Sequence, residues 1–299
     1  MRILITGATG FIGKNLCISL FKKNYKILAI SRSKIKSKKN VTFIKSSLKL
    51  NKKNFNIIEK FKPNILINLA WEGIPNYSNK FSKKNLNDQV IFFEKIKNIK
   101  SLKKIFSVGS CWEYQKKKGK LNENCRLNYK TEFTNSKIKI LKFLTKNCKK
   151  LGIKFFYFRL FYVFGKYQNN HSLIPHIITS IKNRQKFKIR NIKNQNDFVH
   201  IDDVCRIFNI AILGKIKEGI YNIGSGNART FNALANSIFN SLDISPDIRY
   251  VDMPDKLIGK YQNFTEANTD KIIKSGFKGF TSLEDGVKKC VENFLIEEK

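Results

Sequence analysis

Acid is scarce in this chain. Its 299 residues include 22 Asp and Glu against 58 Lys and Arg, a formal charge of +36. A field of that sign draws anions, nucleic acid and anionic lipid among them. The companion signs of a nucleic-acid binder are missing: there is no RNA-recognition fingerprint, no zinc-finger spacing and no heptad basic region. Most of the excess is Lys scattered among Asn, Ile and Phe, residues that share AT-rich codons, so composition is the simpler source of the charge. No nucleic-acid partner is expected, although a basic surface would help recruit a phosphorylated substrate. The six cysteines (Cys17, Cys111, Cys125, Cys148, Cys205, Cys290) form no C-x-x-C pair, and neither a disulfide framework nor a metal site is expected. No apolar run reaches the roughly 18 residues that span a bilayer, so membrane insertion is not expected. No signal-peptide core is present either, because Met1-Arg2 leads straight into a strand-like run that breaks at Gly7. A cytoplasmic, reducing setting is the expectation. Repeats and disordered linkers are also missing, and apolar runs recur from end to end, as a globular core requires.

What the chain does have is alternation. Strand patterns at Ile3–Thr6, Tyr25–Ser31, Val41–Ile44, Ile65–Ala70, Lys104–Val108 and Lys154–Leu160 are interleaved with helical patterns at Phe11–Lys23, Asn54–Phe61, Asn85–Ile99 and Asn135–Lys150. Ile65–Ala70 is apolar almost throughout, as a strand covered on both faces should be. Strands alternating with helices predict a doubly wound parallel sheet of the α/β class. After Gly165 the rhythm changes. Helices are expected at Leu173–Lys182, Asp202–Leu213 (capped by Asp202), Phe231–Ser241 (introduced by Thr230) and Ser282–Leu295. Short strands are expected at Phe187–Ile189 and Ile220–Ile223. The expected division is residues 1–165 and a smaller C-terminal lobe, 166–299, partly interleaved with the first.

Between the first strand and the first helix lies Thr6-Gly7-Ala8-Thr9-Gly10-Phe11-Ile12-Gly13. In such a turn Gly7 permits the tight bend, Gly10 lets the backbone approach a pyrophosphate, and Gly13 lets the helix lie close to the sheet. The helix N-terminus adds free N–H groups and partial positive charge. Gly7, Thr9, Gly10, Phe11, Ile12 and Gly13 are therefore candidate dinucleotide-binding residues on a Rossmann-type sheet. A carboxylate at the end of the second strand would bond the ribose hydroxyls of NAD. Here Ser31-Arg32 stands there, followed by Lys34 and Lys36, which suits the 2′-phosphate of NADP; a solvated basic loop is the bland alternative, and NAD stays open.

Other segments accompany that turn: Asn68-Leu69-Ala70, Gly109-Ser110, Lys137, Arg159 to Gly165 (RLFYVFG), Asp197 to Asp203 (DFVHIDD) and Tyr221 to Gly226 (YNIGSG). Together they resemble the extended short-chain dehydrogenase/reductase family, the nucleotide-sugar epimerases, dehydratases and 4-ketoreductases, over nearly the whole chain. The resemblance implies further cofactor contacts at Leu69, Ala70, Phe161 and Lys137. It also puts Ser47-Leu48 where the family often has Asp-Leu at the adenine. A homodimer is expected as well.

The resemblance further implies a Ser after the fifth strand that polarises a carbonyl, here Ser110, and a Tyr-x-x-x-Lys one helical turn long. Lys137 matches the Lys, but the Tyr position is Phe133, and a phenyl ring cannot donate a proton. Several explanations stand open. A neighbour (Tyr129, Cys111, Glu113 or Glu72) replaces the phenol, water delivers the proton, or the chain binds without catalysis. Alternatively an early helix start brings Tyr129 onto the Lys137 face. The family's dehydratases carry Asp-Glu after the Ser; Cys111-Trp112 stands there, which disfavours elimination. Cys111 and His171 are each one position off the family's epimerase-reductase pair and are not carried over; His171 and His176 read as surface residues and His200 as structural.

The expected substrate is a nucleotide-diphospho-sugar, faced by Trp71, Ser110, Cys111, Ser172, Leu173, Asn196 and Arg229. Asn196 stands where the family often has a diphosphate-binding Arg, and Arg184, Arg190 or Arg229 is the candidate replacement. Trp71 opens the segment Trp71-Glu72-Gly73-Ile74-Pro75, and with Trp112 it would stack on sugar or base or else pack as core. The first functional expectation is NADPH-dependent reduction of a nucleotide-linked 4-keto-deoxysugar. The alternatives are an NAD-dependent 4-epimerase and a catalytically silent dinucleotide sensor.

Overall fold

The computed structural model describes residues 1–23, 25–37, 40–74, 76–115, 119–187, 193–245 and 264–297. The chain forms two compact units. One comprises Met1–Gln115, Arg126–Arg159 and Lys217–Tyr221; the other comprises Lys116–Cys125, Leu160–Ile216 and Asn222–Lys299.

In chain order the first unit opens with β1 (Arg2–Thr6), α1 (Phe11–Phe21), β2 (Lys26–Ser31), β3 (Val41–Lys45), α2 (Lys52–Phe61), β4 (Ile65–Asn68), α3 (Asn79–Ile96) and β5 (Lys104–Ser110). After β6 (Lys120–Leu121) it resumes with α4 (Glu132–Leu151) and β7 (Lys154–Leu160). After β8 (Tyr162–Phe164), α5 (Leu173–Lys182), β9 (Gln195–His200) and α6 (Ile201–Ile212), β10 (Gly219–Ile223) returns to it. Seven strands lie in the order β10-β7-β5-β4-β1-β2-β3. The pairs β1–β2, β2–β3, β1–β4 and β4–β5 are parallel. This is the expected doubly wound α/β sheet. Strand order reverses between β1 and β4, and in open parallel sheets the crevice for a ligand opens at the carboxyl ends of that pair. Leu4, Leu28, Leu66 and Ile105 from the strands pack on Phe92, Phe93 and Ile96 of α3 and on Ile140, Leu141 and Leu144 of α4. Each such buried side chain contributes roughly 1.5–3 kcal/mol.

Element ends differ from the sequence reading where polar residues face inward. α3 starts six residues before Asn85, at Asn79, behind Ser78, whose hydroxyl accepts from the Phe81 N–H. Its early inward residues are Ser82, Asn85 and Gln89, which an apolar period does not register. α4 starts at Glu132, with Thr131 accepting from the Thr134 N–H. β4 ends at Asn68, two residues short of Ala70, and β5 runs on to Ser110.

The second unit continues with β11 (Ala228–Thr230), α7 (Phe231–Leu242), β12 (Phe264–Ala267), α8 (Asp270–Lys274) and α9 (Leu283–Glu297). Its sheet runs β11-β9-β12-β6, with β8 paired to β9. Phe164, Ile177, Phe198, Leu234, Ile238 and Val287 form its core. Thr230 caps α7 as expected. Asp202 does not cap α6: His200 does, its Nδ1 accepting from the Asp202 N–H at 3.3 Å. The strand expected at Phe187–Ile189 is not formed at Phe187, which is buried coil, and residues 188 and 189 lie outside the described residues. The two- and three-residue strands β6, β8 and β11 are too short to carry a period.

Among the described residues no helix is long and apolar enough to cross a membrane. None of their His, Cys, Asp and Glu side chains gather in a group of three or more that could hold a metal ion.

Candidate active site at the ends of β1, β4 and β5

The site begins with the chain's own steric demands. Gly7 has φ +67°, and a Cβ there would sit 2.7 Å from the Leu69 carbonyl carbon and the Ala70 nitrogen. A Cβ on Gly13 would strike the Gly7 oxygen at 2.2 Å. Gly10 is different: a Cβ there would meet only the Gly7 oxygen, at an ordinary 3.4 Å. The chain's packing does not require glycine at position 10, so the missing side chain leaves space for something else. Gly10 is also the N-cap of α1, with no side-chain cap and no acid in the first turn. An uncapped, acid-free helix end is an anion site in form, and it fits a pyrophosphate. Exposed Thr9 and half-buried Phe11 and Ile12 flank it.

A buried polar chain fixes the neighbouring strand ends. Thr6 Oγ1 donates to Asn68 Oδ1 (2.6 Å), Asn68 Nδ2 to Gln89 Oε1 (2.8 Å), and Gln89 Nε2 to the Ala70 carbonyl (2.9 Å). The Ala70 N–H returns to Thr6 Oγ1. Leu69-Ala70 is thus held beside Gly7. Gln89, in the half of α3 read from its apolar period, went unrecognised because it is a polar residue on the buried face.

At the end of β5 a short 3₁₀ turn, Cys111–Glu113, is capped by Ser110. Its Oγ accepts from the Trp112 N–H at 3.2 Å, and its own N–H donates to Glu113 Oε1 at 2.8 Å. Glu113 is fully buried and also receives Arg159 Nε at 3.0 Å and the Tyr157 hydroxyl at 2.8 Å. Arg159 Nη1 donates on to the Tyr114 hydroxyl at 3.1 Å. Burial and the adjacent Glu113 push the Tyr157 phenol well above its usual range. This network anchors Ser110 from beneath. Nothing in the sequence points to this network: Arg159 reads as part of a strand motif, and no spacing pairs it with Glu113.

α4 brings Phe133 and Lys137, one turn apart, onto the same buried face. Lys137 Nζ donates to the Val108 carbonyl at 3.0 Å and lies 3.9 Å from the centre of the Trp71 ring. Burial lowers the Lys137 ammonium to about 8, against the opposing pull of Glu113. Phe133 is enclosed by three rings: Tyr77 at 4.9 Å, Trp71 at 5.4 Å and Trp112 at 6.1 Å between centroids.

The four named substitutes for the missing phenol fare poorly. Tyr129 precedes the helix, so the early start that would have placed it on the Lys137 face does not extend far enough. Tyr129 is 49% exposed, and the Lys142 ammonium lies 5.2 Å from the centre of its ring. Glu113 is spent on Arg159 and Tyr157. Glu72 takes Lys84 at 2.6 Å and Arg32 at 3.0 Å, and these cations hold its carboxyl below the usual range, which makes it a poor acid. Cys111 is buried.

At the proposed cofactor lip, buried Ser31 accepts from the Ser33 N–H, and Arg32, 69% exposed along its side chain, pairs with Glu72. Lys34, Lys36 and Ser47 are exposed, and Leu48 packs on the core. In the second unit Phe161 is buried, its N–H donating to the Ile223 carbonyl. Ser172 is the N-cap of α5, without a side-chain cap bond, and Leu173 begins that helix. Asn196 is buried in β9 directly opposite Arg229 of β11, whose guanidinium pairs with Glu284 at 2.7 Å. Arg184 is exposed, Arg190 and Pro75 lie outside the described residues, and His171 and His176 are exposed. His200 is buried and bonded to Asp202, so its role in the fold is structural.

Residues 3–224 match the model of the NAD dependent epimerase/dehydratase family. The chain belongs to that family. Within it, the chain is 30% identical over 314 aligned positions to ADP-L-glycero-D-manno-heptose-6-epimerase of Brachyspira hyodysenteriae, covering 97% of this chain and 96% of that one. A counterpart from Nitratidesulfovibrio vulgaris is 41% identical over 100 residues, which is 33% of this chain and 31% of the relative. The family fold is shared with UDP-glucose 4-epimerase of Thermotoga maritima (TM-score 0.85, 20% identity, all of both chains). It is shared too with dTDP-glucose 4,6-dehydratase of Bacillus anthracis in complex with NAD (TM-score 0.85, 22% identity, 100% and 97% covered).

Proposed function

We propose that this family member is a nucleotide-sugar oxidoreductase that reduces a nucleotide-linked 4-keto-deoxysugar with NADPH. The observation that carries the reading is Lys137, a buried ammonium delivered by α4 to the end of β5, two residues from Ser110. The open N-terminus of α1 beside Gly10 supports dinucleotide binding there, with Leu69 and Ala70 alongside. A bound dihydronicotinamide would supply hydride to the carbonyl carbon. Ser110 Oγ accepts from Trp112 and donates to no described residue, so its hydrogen is available to polarise the carbonyl. Lys137 uses one of its three N–H groups on Val108 and keeps two for ribose hydroxyls. Cys111 and Trp112, where proton abstraction for water loss would need carboxylates, argue against elimination. In this reading residues 1–165 hold the dinucleotide. Residues 166–299 hold the nucleotide sugar, with Ser172, Leu173, Asn196 and Arg229 as its contacts.

A second reading, epimerisation, is favoured by the Brachyspira relative, whose name is that of an epimerase. It uses the same residues for oxidation followed by return of hydride to the other face. The test is incubation of purified protein with dTDP- and UDP-linked 4-keto-6-deoxyglucose and either NADPH or NADH, and separately with UDP- and ADP-linked hydroxy sugars and NAD. Stoichiometric oxidation of the dinucleotide with a 4-hydroxy product supports reduction. Inversion of a hydroxy sugar nucleotide without net oxidation supports epimerisation, and binding without turnover supports a silent sensor.

A further inference from the structure

Reduction of a carbonyl leaves charge on its oxygen, and a positioned proton donor is worth about 10²–10⁴-fold in rate. Phe133 offers none. Of the other phenols that touch the Cys111–Glu113 turn or the residue after it, Tyr114 and Tyr157 are fully buried in the Glu113–Arg159 network. Tyr77 is not so committed. It lies on the loop between β4 and α3, with its ring in edge contact with Phe133 at 4.9 Å and tilted on Trp112 at 4.8 Å between centroids. It is 38% exposed, and its hydroxyl has no hydrogen-bond partner among the described residues. A phenol wedged between two site rings and joined to no protein group is held in place by packing while its oxygen remains free for a ligand.

We infer that Tyr77 is the proton donor of this site, a phenol supplied by the β4–α3 loop to the place where α4 carries Phe133. The inference rests on the oxidoreductase reading above. Reduction puts a hydride, supplied by NADPH as it becomes NADP, on the carbonyl carbon. The C=O π pair moves onto oxygen, and the Tyr77 hydroxyl gives that oxygen its proton. The phenolate left behind is reprotonated from water. In the oxidative direction the same oxygen takes the proton back. Burial, with a further contribution from Cys111, raises the Tyr77 phenol above its ordinary value, so it stays protonated as a donor must. Lys137, one turn from Phe133 and lowered to about 8, is the cation beside this aromatic group that counters the charge of a transient phenolate.

Tyr77→Phe keeps the ring and its two aromatic contacts, so it tests the hydroxyl alone. Single-turnover reduction of dTDP- and UDP-linked 4-keto-6-deoxyglucose should fall by about 10²–10⁴-fold. NADPH affinity, read from tryptophan fluorescence, and the melting temperature should not change. The double variant Tyr77→Phe, Phe133→Tyr should recover part of the loss. In a difference titration of phenolate absorbance, wild type minus Tyr77→Phe should show one phenol ionising above the ordinary tyrosine range. Wild-type turnover that Tyr77→Phe retains within about threefold, or a missing difference phenol of that kind, overturns the assignment of Tyr77 and leaves the oxidoreductase reading intact. NADPH bound by both forms with no turnover by either overturns that reading, and the donor role with it.

Discussion

The ammonium of Lys137 sits 3.9 Å over the Trp71 ring while it donates to the Val108 carbonyl. Strand end, loop and helix are joined at this one cation, and burial brings its pKa down from 10.5 to about 8.

That shift has a signed consequence for stability. Between about 8 and 10.5 the unfolded chain holds a proton at Lys137 that the folded chain has released, so this group makes stability rise with pH across the window. Below it, the buried charge costs the full difference, roughly 3 kcal/mol. Lys137→Met lacks the titration. Urea denaturation should find wild type gaining on the variant as pH rises from 8 toward 10.5, and stability differences that stay constant across the window would refute the shift.

Arg32 is the candidate for a 2′-phosphate, yet its guanidinium is paired with Glu72. NADPH should bind more tightly than NADH, and Arg32→Asp should reverse or abolish the preference. Glu72→Gln, which frees Arg32, should widen it. Calorimetric titration that finds equal affinities in all three forms would remove Arg32 from the cofactor site.

Glu113 and Arg159 are 0% and 1% exposed along their side chains. Glu113→Gln leaves the guanidinium buried without its carboxylate, a change expected to cost about 3–5 kcal/mol. The amide keeps one acceptor oxygen for the Ser110 N–H and the Tyr157 hydroxyl but turns an NH2 donor toward Arg159, which disturbs the seat of Ser110. Denaturation midpoints check the first effect, and loss of turnover beyond any loss of folded protein checks the second.

The charge of +36 predicts weak duplex DNA binding without sequence preference, abolished by moderate salt. Fluorescence anisotropy over a salt series measures it. Sequence-selective binding at physiological salt would give the charge a function of its own.

The sheet was legible because buried parallel strands are apolar runs: Ile65–Ile67 and Phe155–Phe158 announce themselves whatever they pack against. The glycine turn was legible because each glycine has its own steric or ligand-related reason. Ser110 and Lys137 were reached through motif spacing. Tyr77 was not, since its partnership with Phe133 joins residues 56 positions apart through a loop that has no period. The same holds for Glu113 with Arg159, and for Asn68 with Gln89. Polar and aromatic contacts between elements depend on where the elements pack, and hydrophobic pattern carries no record of that. The start of α3 escapes for a related reason, because its first six residues, 79–84, bury the polar side chain of Ser82.

On the proposed function, hydride passes between a dinucleotide held at the glycine turn and a sugar carbon at Ser110. Deuterium labelling tests it most directly. NADPH deuterated at the transferable position is incubated with dTDP- and UDP-linked 4-keto-6-deoxyglucose, and the sugar nucleotide is analysed by mass spectrometry and NMR. A single deuterium is expected on the former carbonyl carbon of the product. A protein that binds the dinucleotide tightly yet transfers no label to any sugar nucleotide would contradict it.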